Sequence, residues 1–134
     1  MAGYRRLLLA EDDEDDKMIF TEIMQSLDTG EPIRFDAVDN GAAVLQLLEN
    51  CQELPHLVVL DQNMPQLSGR ETLEILKADE RFRDIPVVIY STYNDSRISQ
   101  ECVAMGADQI LTKPDSFEGL SEMIRDLVSR YLAK

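Results

Sequence analysis

Five short apolar runs, separated by stretches of helix length and amphipathic spacing, constrain the fold of this chain more than any other feature. Residues 7–10, 33–38, 57–60, 87–90 and 110–112 carry the runs. Continuous apolar segments of this length read as parallel strands buried on both faces, with the intervening helices as cover. Four of the runs are followed at once by chemistry-bearing groups: Glu11 and Asp12, then Asp61, then Ser91, and finally Lys113. Ligands of open parallel sheets bind beyond the carboxyl ends of the strands. Acids from two strands, a hydroxyl from a third and a lysine from a fourth would therefore meet in one crevice, which suits a divalent cation and a phosphoryl group.

The connecting stretches support this architecture. Phe20, Ile23, Met24 and Leu27 recur at helical spacing, and Gly30 with Pro32 ends the pattern. Asn40-Gly41 opens a second helix carrying Val44, Leu45, Leu47 and Leu48, and a third lies around Leu73 and Leu76. Ile98, Cys102 and Met105 share one face of a fourth that Gly106 can close. Leu120, Met123, Ile124, Leu127, Val128 and Tyr131 form a fifth, with Asp115 or Ser116 as its cap. The expected fold is a three-layer α/β sandwich with right-handed crossovers. The pattern leaves the strand order open.

The length of 134 residues suits one domain over residues 1–134 with no output domain. A net charge of −13 disfavours nucleic acid and anionic membrane as partners and favours a protein or a cation. Cys51 and Cys102 form no CxxC pair, which fits reduced thiols in a soluble cytoplasmic protein. The basic Tyr4-Arg5-Arg6 leads into a run too short for a signal peptide or membrane helix.

Residues 11–16 place six carboxylates in succession, at a cost in repulsion that solvent, a helix N-terminus or a cation must relieve. Asp13 to Asp16 read as a solvated acidic turn that starts a helix. Glu11 and Asp12, directly after the strand, suit Mg²⁺ or Mn²⁺ as hard oxygen ligands. Lys17 falls where an EF-hand loop would need glycine. Asp61 ends a strand covered on both faces, where an isolated carboxylate is costly unless a cation and Lys113 compensate it. So held, it can act as a nucleophile toward phosphorus. Taken singly, Asp61 also reads as a strand-end cap and Lys113 as a surface lysine; their joint order carries the functional reading.

The motifs Leu-Leu-Ala-Glu11-Asp12-Asp13, Leu60-Asp61-Gln62-Asn63-Met64-Pro65 with Gly69 downstream, residues 86–91, and Gly106-Ala107-Asp108 followed by Lys113-Pro114 resemble the receiver domain of two-component response regulators over nearly the whole chain. The resemblance implies a flavodoxin-like five-stranded parallel sheet of order 2-1-3-4-5. It implies phosphorylation of Asp61 by a phosphohistidine of a sensor histidine kinase or histidine phosphotransfer protein. Glu11, Asp12, Asp61 and the backbone carbonyl of Asn63 would hold Mg²⁺, Ser91 would hydrogen-bond the phosphoryl group, and Lys113 would pair with it. It also makes Lys113-Pro114 a candidate cis peptide. An unidentified downstream protein would read the signal, from a monomer or a phosphorylation-dependent homodimer through the fourth helix, fifth strand and fifth helix.

Several positions depart from the common family pattern. Ile110 stands where many receivers carry a switching Tyr or Phe. Thr92 stands where Ala or Gly is frequent, and Tyr93 is bulky where it can border the phosphoryl group and limit attacking water, or else face outward. His56, the only histidine, reads as a solvent-facing loop residue, and residues 77–84 read as a solvated connection. Three rival functions follow from the same residues. A Mg²⁺-dependent phosphatase with Asp61 as nucleophile is weakened by Asn63, which stands where a haloacid-dehalogenase-like enzyme carries its general acid. A phosphorylation-independent adaptor would bind neither cation nor phosphate. A dinucleotide enzyme lacks its G-x-G-x-x-G and would set acids against a pyrophosphate.

Overall fold

The computed structural model describes residues 5–28, 30, 32–92 and 95–132. Five strands alternate with five helices: β1 (Arg5–Ala10), α1 (Glu14–Ser26), β2 (Ile33–Val38), α2 (Gly41–Asn50), β3 (Leu57–Asp61), α3 (Gly69–Ala78), β4 (Val87–Ser91), α4 (Ser96–Met105), β5 (Gln109–Thr112) and α5 (Phe117–Tyr131). All pairings are parallel and the sheet order is β2-β1-β3-β4-β5.

Alternation along the central strands divides their side chains between two cores. Leu8, Ala10, Val58, Leu60, Val87 and Ile89 face α2, α3 and α4, where they pack with Val44, Leu48, Leu73, Leu76 and Cys102. Leu7, Leu9, Leu57, Val59, Val88 and Tyr90 face α1 and α5, where they meet Phe20, Ile23, Met24, Ile124, Leu127 and Val128. Burial on both sides explains why β1, β3 and β4 read as continuous apolar runs rather than as alternating ones.

Side chains start the helices where the sequence changes period. Asp13, Asn40, Ser68, Asp95 and Ser116 are the N-caps of α1 to α5, and Ser68 forms a reciprocal capping box with Glu71. Ser116, not Asp115, thus caps α5. Gly106 closes α4 at φ 110°, a conformation that costs glycine little.

Two expectations are corrected. The segment after α3 is anchored rather than solvated: Phe82 and Ile85 are buried, and Lys77 Nζ donates to the carbonyls of Arg83 and Ile85, both at 2.9 Å. Arg81 grips Glu49 at 2.9 and 2.6 Å and lies over the Phe82 ring. Mixed charge in this stretch hid two apolar anchors. His56 is half-buried, and its ring Nδ1 accepts from Arg6 N at 3.0 Å while its main-chain N–H donates to Arg6 O at 2.8 Å. Burial, then the nearby Arg5 charge, lowers its pKa, so the ring is a neutral strand-edge partner of β1.

Candidate functional site

The sheet register brings the predicted groups together. Ala10 pairs with Leu60, Asp61 with Tyr90, and Ser91 with Thr112, so the strand ends lie side by side. The ladder continues past the strands through Glu11 N to Val38 O (3.0 Å), Gln62 N to Tyr90 O (3.0 Å) and Lys113 N to Ser91 O (2.8 Å). Residues distant in sequence are thereby fixed on one rim by main-chain bonds.

Glu11, Asp12 and Asp61 converge, with one carboxylate oxygen from each lying within 4.8 Å of the others. Glu11 is 0% exposed and Asp61 3%, whereas Asp12 is open to solvent. Lys113 Nζ donates to Glu11 Oε1 at 2.8 Å, to Asp16 Oδ2 at 3.2 Å and to Asp61 Oδ2 at 3.4 Å. Tyr90 donates its hydroxyl to the same Glu11 Oε1 at 2.6 Å, and Asp13 N donates to Glu11 Oε2 at 3.1 Å. Asn63 N donates to Asp61 Oδ1 at 3.1 Å, and Asn63 Nδ2 to Ser91 Oγ at 3.4 Å.

The loop after β3 is folded around Asp61. Arg70 N donates to Gln62 Oε1 at 2.9 Å, and Gly69 N to Gln62 O at 3.2 Å. A Cβ on Gly69 would lie 2.7 Å from the Asp61 carbonyl oxygen, so only glycine admits this approach of α3 to the site.

Electrostatics follow from burial and like charge. Burial, then Glu11, pushes the Asp61 carboxyl up to about 7. Burial also opposes charge on Glu11, yet hydrogen bonds from Asp61, Lys113 and Tyr90 outweigh it and hold its pKa below the usual carboxylate value. Lys113 is raised despite its burial, because three carboxylates surround it. The Tyr90 phenol is raised by burial and by Glu11, which keeps it a donor. Hard oxygen donors with an excess of negative charge, gathered around an ammonium that already bridges them, fit a small divalent cation. A cation there would offset the like charge of Glu11 that, after burial, pushes Asp61 up.

A model of the response regulator receiver domain matches residues 7–125. The chain belongs to the response regulator receiver family. Among its relatives, the receiver is 32% identical over 112 residues to the two-component response regulator ORR5 of Oryza sativa, covering 84% of this chain and 80% of that protein. Its fold matches the Mn²⁺-bound form of response regulator Rcp1 with a TM-score of 0.83 at 24% identity, covering 93% of this chain and 92% of that one. It also matches the phosphorylated cyanobacterial phytochrome response regulator RcpA with a TM-score of 0.89 at 23% identity, covering 97% and 95%. The flavodoxin-like order 2-1-3-4-5 expected from the resemblance is the order found.

Of the residues expected in the receiver's site, Glu11, Asp12, Asp61, Asn63, Ser91 and Lys113 lie together. Thr92 is exposed at the end of β4, and Tyr93 lies outside the described residues. Ile110 is half-buried and borders a cavity of about 90 Å³ with Asn63, Ser91, Ile98 and Cys102. Pro114 sits close to Gly119 at the start of α5, where an added Cβ would approach its Cβ to 2.9 Å. Among the described residues no peptide bond is cis, so the candidate Lys113-Pro114 bond is trans, the lower-energy state of such a bond.

Two site residues escaped the sequence reading. Asp16 lies in the acidic run that reads as a solvated turn, but α1 winds it back toward Lys113. Tyr90 reads from the sequence only as a strand residue. Its signal was a hydroxyl at the end of an aliphatic run, since a buried Tyr O–H needs a partner.

Proposed function

We propose that the chain works as a response regulator receiver that accepts a phosphoryl group on Asp61. The donor is a phosphohistidine of a sensor histidine kinase or histidine phosphotransfer protein. The observation that carries this reading is the convergence of the buried Asp61 with Glu11, Asp12 and Lys113. Glu11, Asp12, Asp61 and the Asn63 carbonyl would hold Mg²⁺, with Mn²⁺ as a substitute. A bound cation supplies positive charge that keeps Asp61 ionised and offsets charge on the phosphoryl oxygens.

Asp61 attacks phosphorus as its O–P bond forms and the donor's N–P bond breaks, and the departing imidazole takes up a proton. Lys113 moves from Asp61 and Glu11 to a phosphoryl oxygen, and the Ser91 hydroxyl donates to another. The protein's part is positioning rather than turnover of a separate substrate. The gained contacts at Ser91 and Lys113 shift the population of surfaces offered to a downstream protein. Val103 on α4 and Phe117 at the start of α5 are exposed apolar groups available for that contact or for a second copy of the chain. The described helices include none long and apolar enough to cross a membrane, and we place the protein in the cytoplasm with its kinase.

Incubation with Mg²⁺ and acetyl phosphate, followed by intact mass measurement, tests this reading. One phosphate adduct is expected in the unmodified protein. Its absence from folded protein with Mg²⁺ present would favour a phosphorylation-independent adaptor.

A further inference from the structure

The proposed transfer leaves Glu11 with an unsolved problem. This carboxylate is fully buried, and its Oε1 is shared by Lys113 Nζ at 2.8 Å and the Tyr90 hydroxyl at 2.6 Å. When Lys113 turns to a phosphoryl group on Asp61, Glu11 loses its ammonium partner and keeps the Asp13 N–H on Oε2 at 3.1 Å and the Tyr90 hydroxyl on Oε1, so the buried oxygen that Lys113 leaves depends on Tyr90.

Tyr90 is the donor that cannot follow. Its backbone is held in the ladder opposite Asp61, with its carbonyl accepting from Gln62 N at 3.0 Å. Its ring meets Phe20 edge-on at a centroid distance of 6.3 Å, and Phe20 stacks on Phe35 at 5.7 Å. The tyrosine therefore spans from the core beneath α1 and α5 to the rim of the sheet, with only its oxygen reaching the acidic cluster. Lys113 Nζ stands 4.7 Å from the centre of the same ring, whose face attracts the ammonium.

We propose that Tyr90 is a positioning residue for phosphoryl transfer: its hydroxyl keeps Glu11 in its metal-facing place while Lys113 passes to the phosphoryl group. The inference rests on the reading of Asp61 as phosphoacceptor. It assigns a role to a residue that would otherwise count as core.

Tyr90→Phe removes one oxygen and keeps the ring against Phe20 and under Lys113, whereas Tyr90→Leu removes both. Mg²⁺ affinity measured by titration calorimetry separates the two contributions. Loss of the hydroxyl is expected to raise the Mg²⁺ Kd by about tenfold in both variants, the scale seen when a group orienting a metal ligand is removed. A Kd within about twofold of the unmodified protein in Tyr90→Phe, with a weakened Tyr90→Leu, would assign Tyr90 to packing alone and overturn the proposal.

Proton NMR of the unmodified protein keeps the question decidable if a variant does not fold. The Tyr90 hydroxyl proton, shielded from exchange, is expected as a downfield resonance before and after phosphorylation. Its loss on phosphorylation would overturn the handover. Failure of the unmodified protein to take phosphate from acetyl phosphate would instead overturn the reading of Asp61, and the handover with it. A normal adduct with an unchanged Kd in Tyr90→Phe would overturn the role of Tyr90 only.

Discussion

Asp61 is held in the free protein at a cost that gives it a measurable signature. Its carboxyl rises from 3.8 to about 7 through burial and the adjacent Glu11. Between those values the folded protein keeps a proton that the unfolded chain has released, so stability falls as pH rises through the window. At 1.36 kcal/mol per pH unit the full effect is bounded at about 4 kcal/mol. Asp61→Asn removes the charge and keeps the shape. Without divalent cation it is expected to raise Tm by about 5 °C or more at pH 8, with a smaller gain at pH 5, as scanning calorimetry would show. The opposing contribution of Glu11 is lost as pH falls below 4.5, so it overlaps only the acid end of this window and leaves the part above 4.5 to Asp61. Asp61 and Lys113 were legible in the sequence because each follows an apolar run. Tyr90 and Asp16 were not, because a strand-end hydroxyl and a helix-turn acid reveal their direction only when the rim is assembled.

The elements position the site through a few close approaches, and two adjacent residues at the start of α3 separate stability from function. Ser68 caps the helix through the box with Glu71, and Ser68→Ala is expected to cost about 1 kcal/mol in chemical denaturation while leaving Mg²⁺ affinity unchanged. Gly69 touches the Asp61 main chain, where an added methyl meets backbone at 2.7 Å and 3.0 Å. Gly69→Ala is expected to cost about 1–3 kcal/mol and also to weaken Mg²⁺ binding, because the Asp61 peptide must shift. Equal Mg²⁺ affinity in both variants would show that the approach of α3 does not set the site. Helix spacing, the opening at Asn40, the Asp115 or Ser116 cap and the closing Gly106 were readable from local pattern, whereas the Ser68 and Asp95 caps were not. The anchoring of Phe82 and Ile85 was not, since it depends on core space that α3 and β4 create together.

At the scale of the whole molecule, the site lies at the carboxyl edge of a parallel sheet in a chain of net charge −13, and cation binding there should be felt by the entire fold. A ligand that binds only the folded state stabilises it by RT ln(1 + [L]/Kd), or about 2.7 kcal/mol at a hundredfold excess over Kd. Mg²⁺ is therefore expected to raise the Tm of the unmodified protein well beyond the effect of NaCl at equal ionic strength. Glu11→Gln should lose most of that difference; an equal response would mean that general screening of negative charge, not the Glu11 site, is responsible. The three layers were legible because burial on both faces leaves continuous apolar runs. The strand order was not, because periodicity carries no information about which runs are neighbours. The central claim is that Asp61 carries the phosphoryl group, and it is tested most directly by borohydride reduction of the acetyl phosphate-treated protein, which converts an aspartyl phosphate to homoserine, followed by peptide mass mapping. Homoserine at position 61 alone is the predicted result; homoserine at position 12 or 13, or a phosphate adduct that resists borohydride, would contradict it.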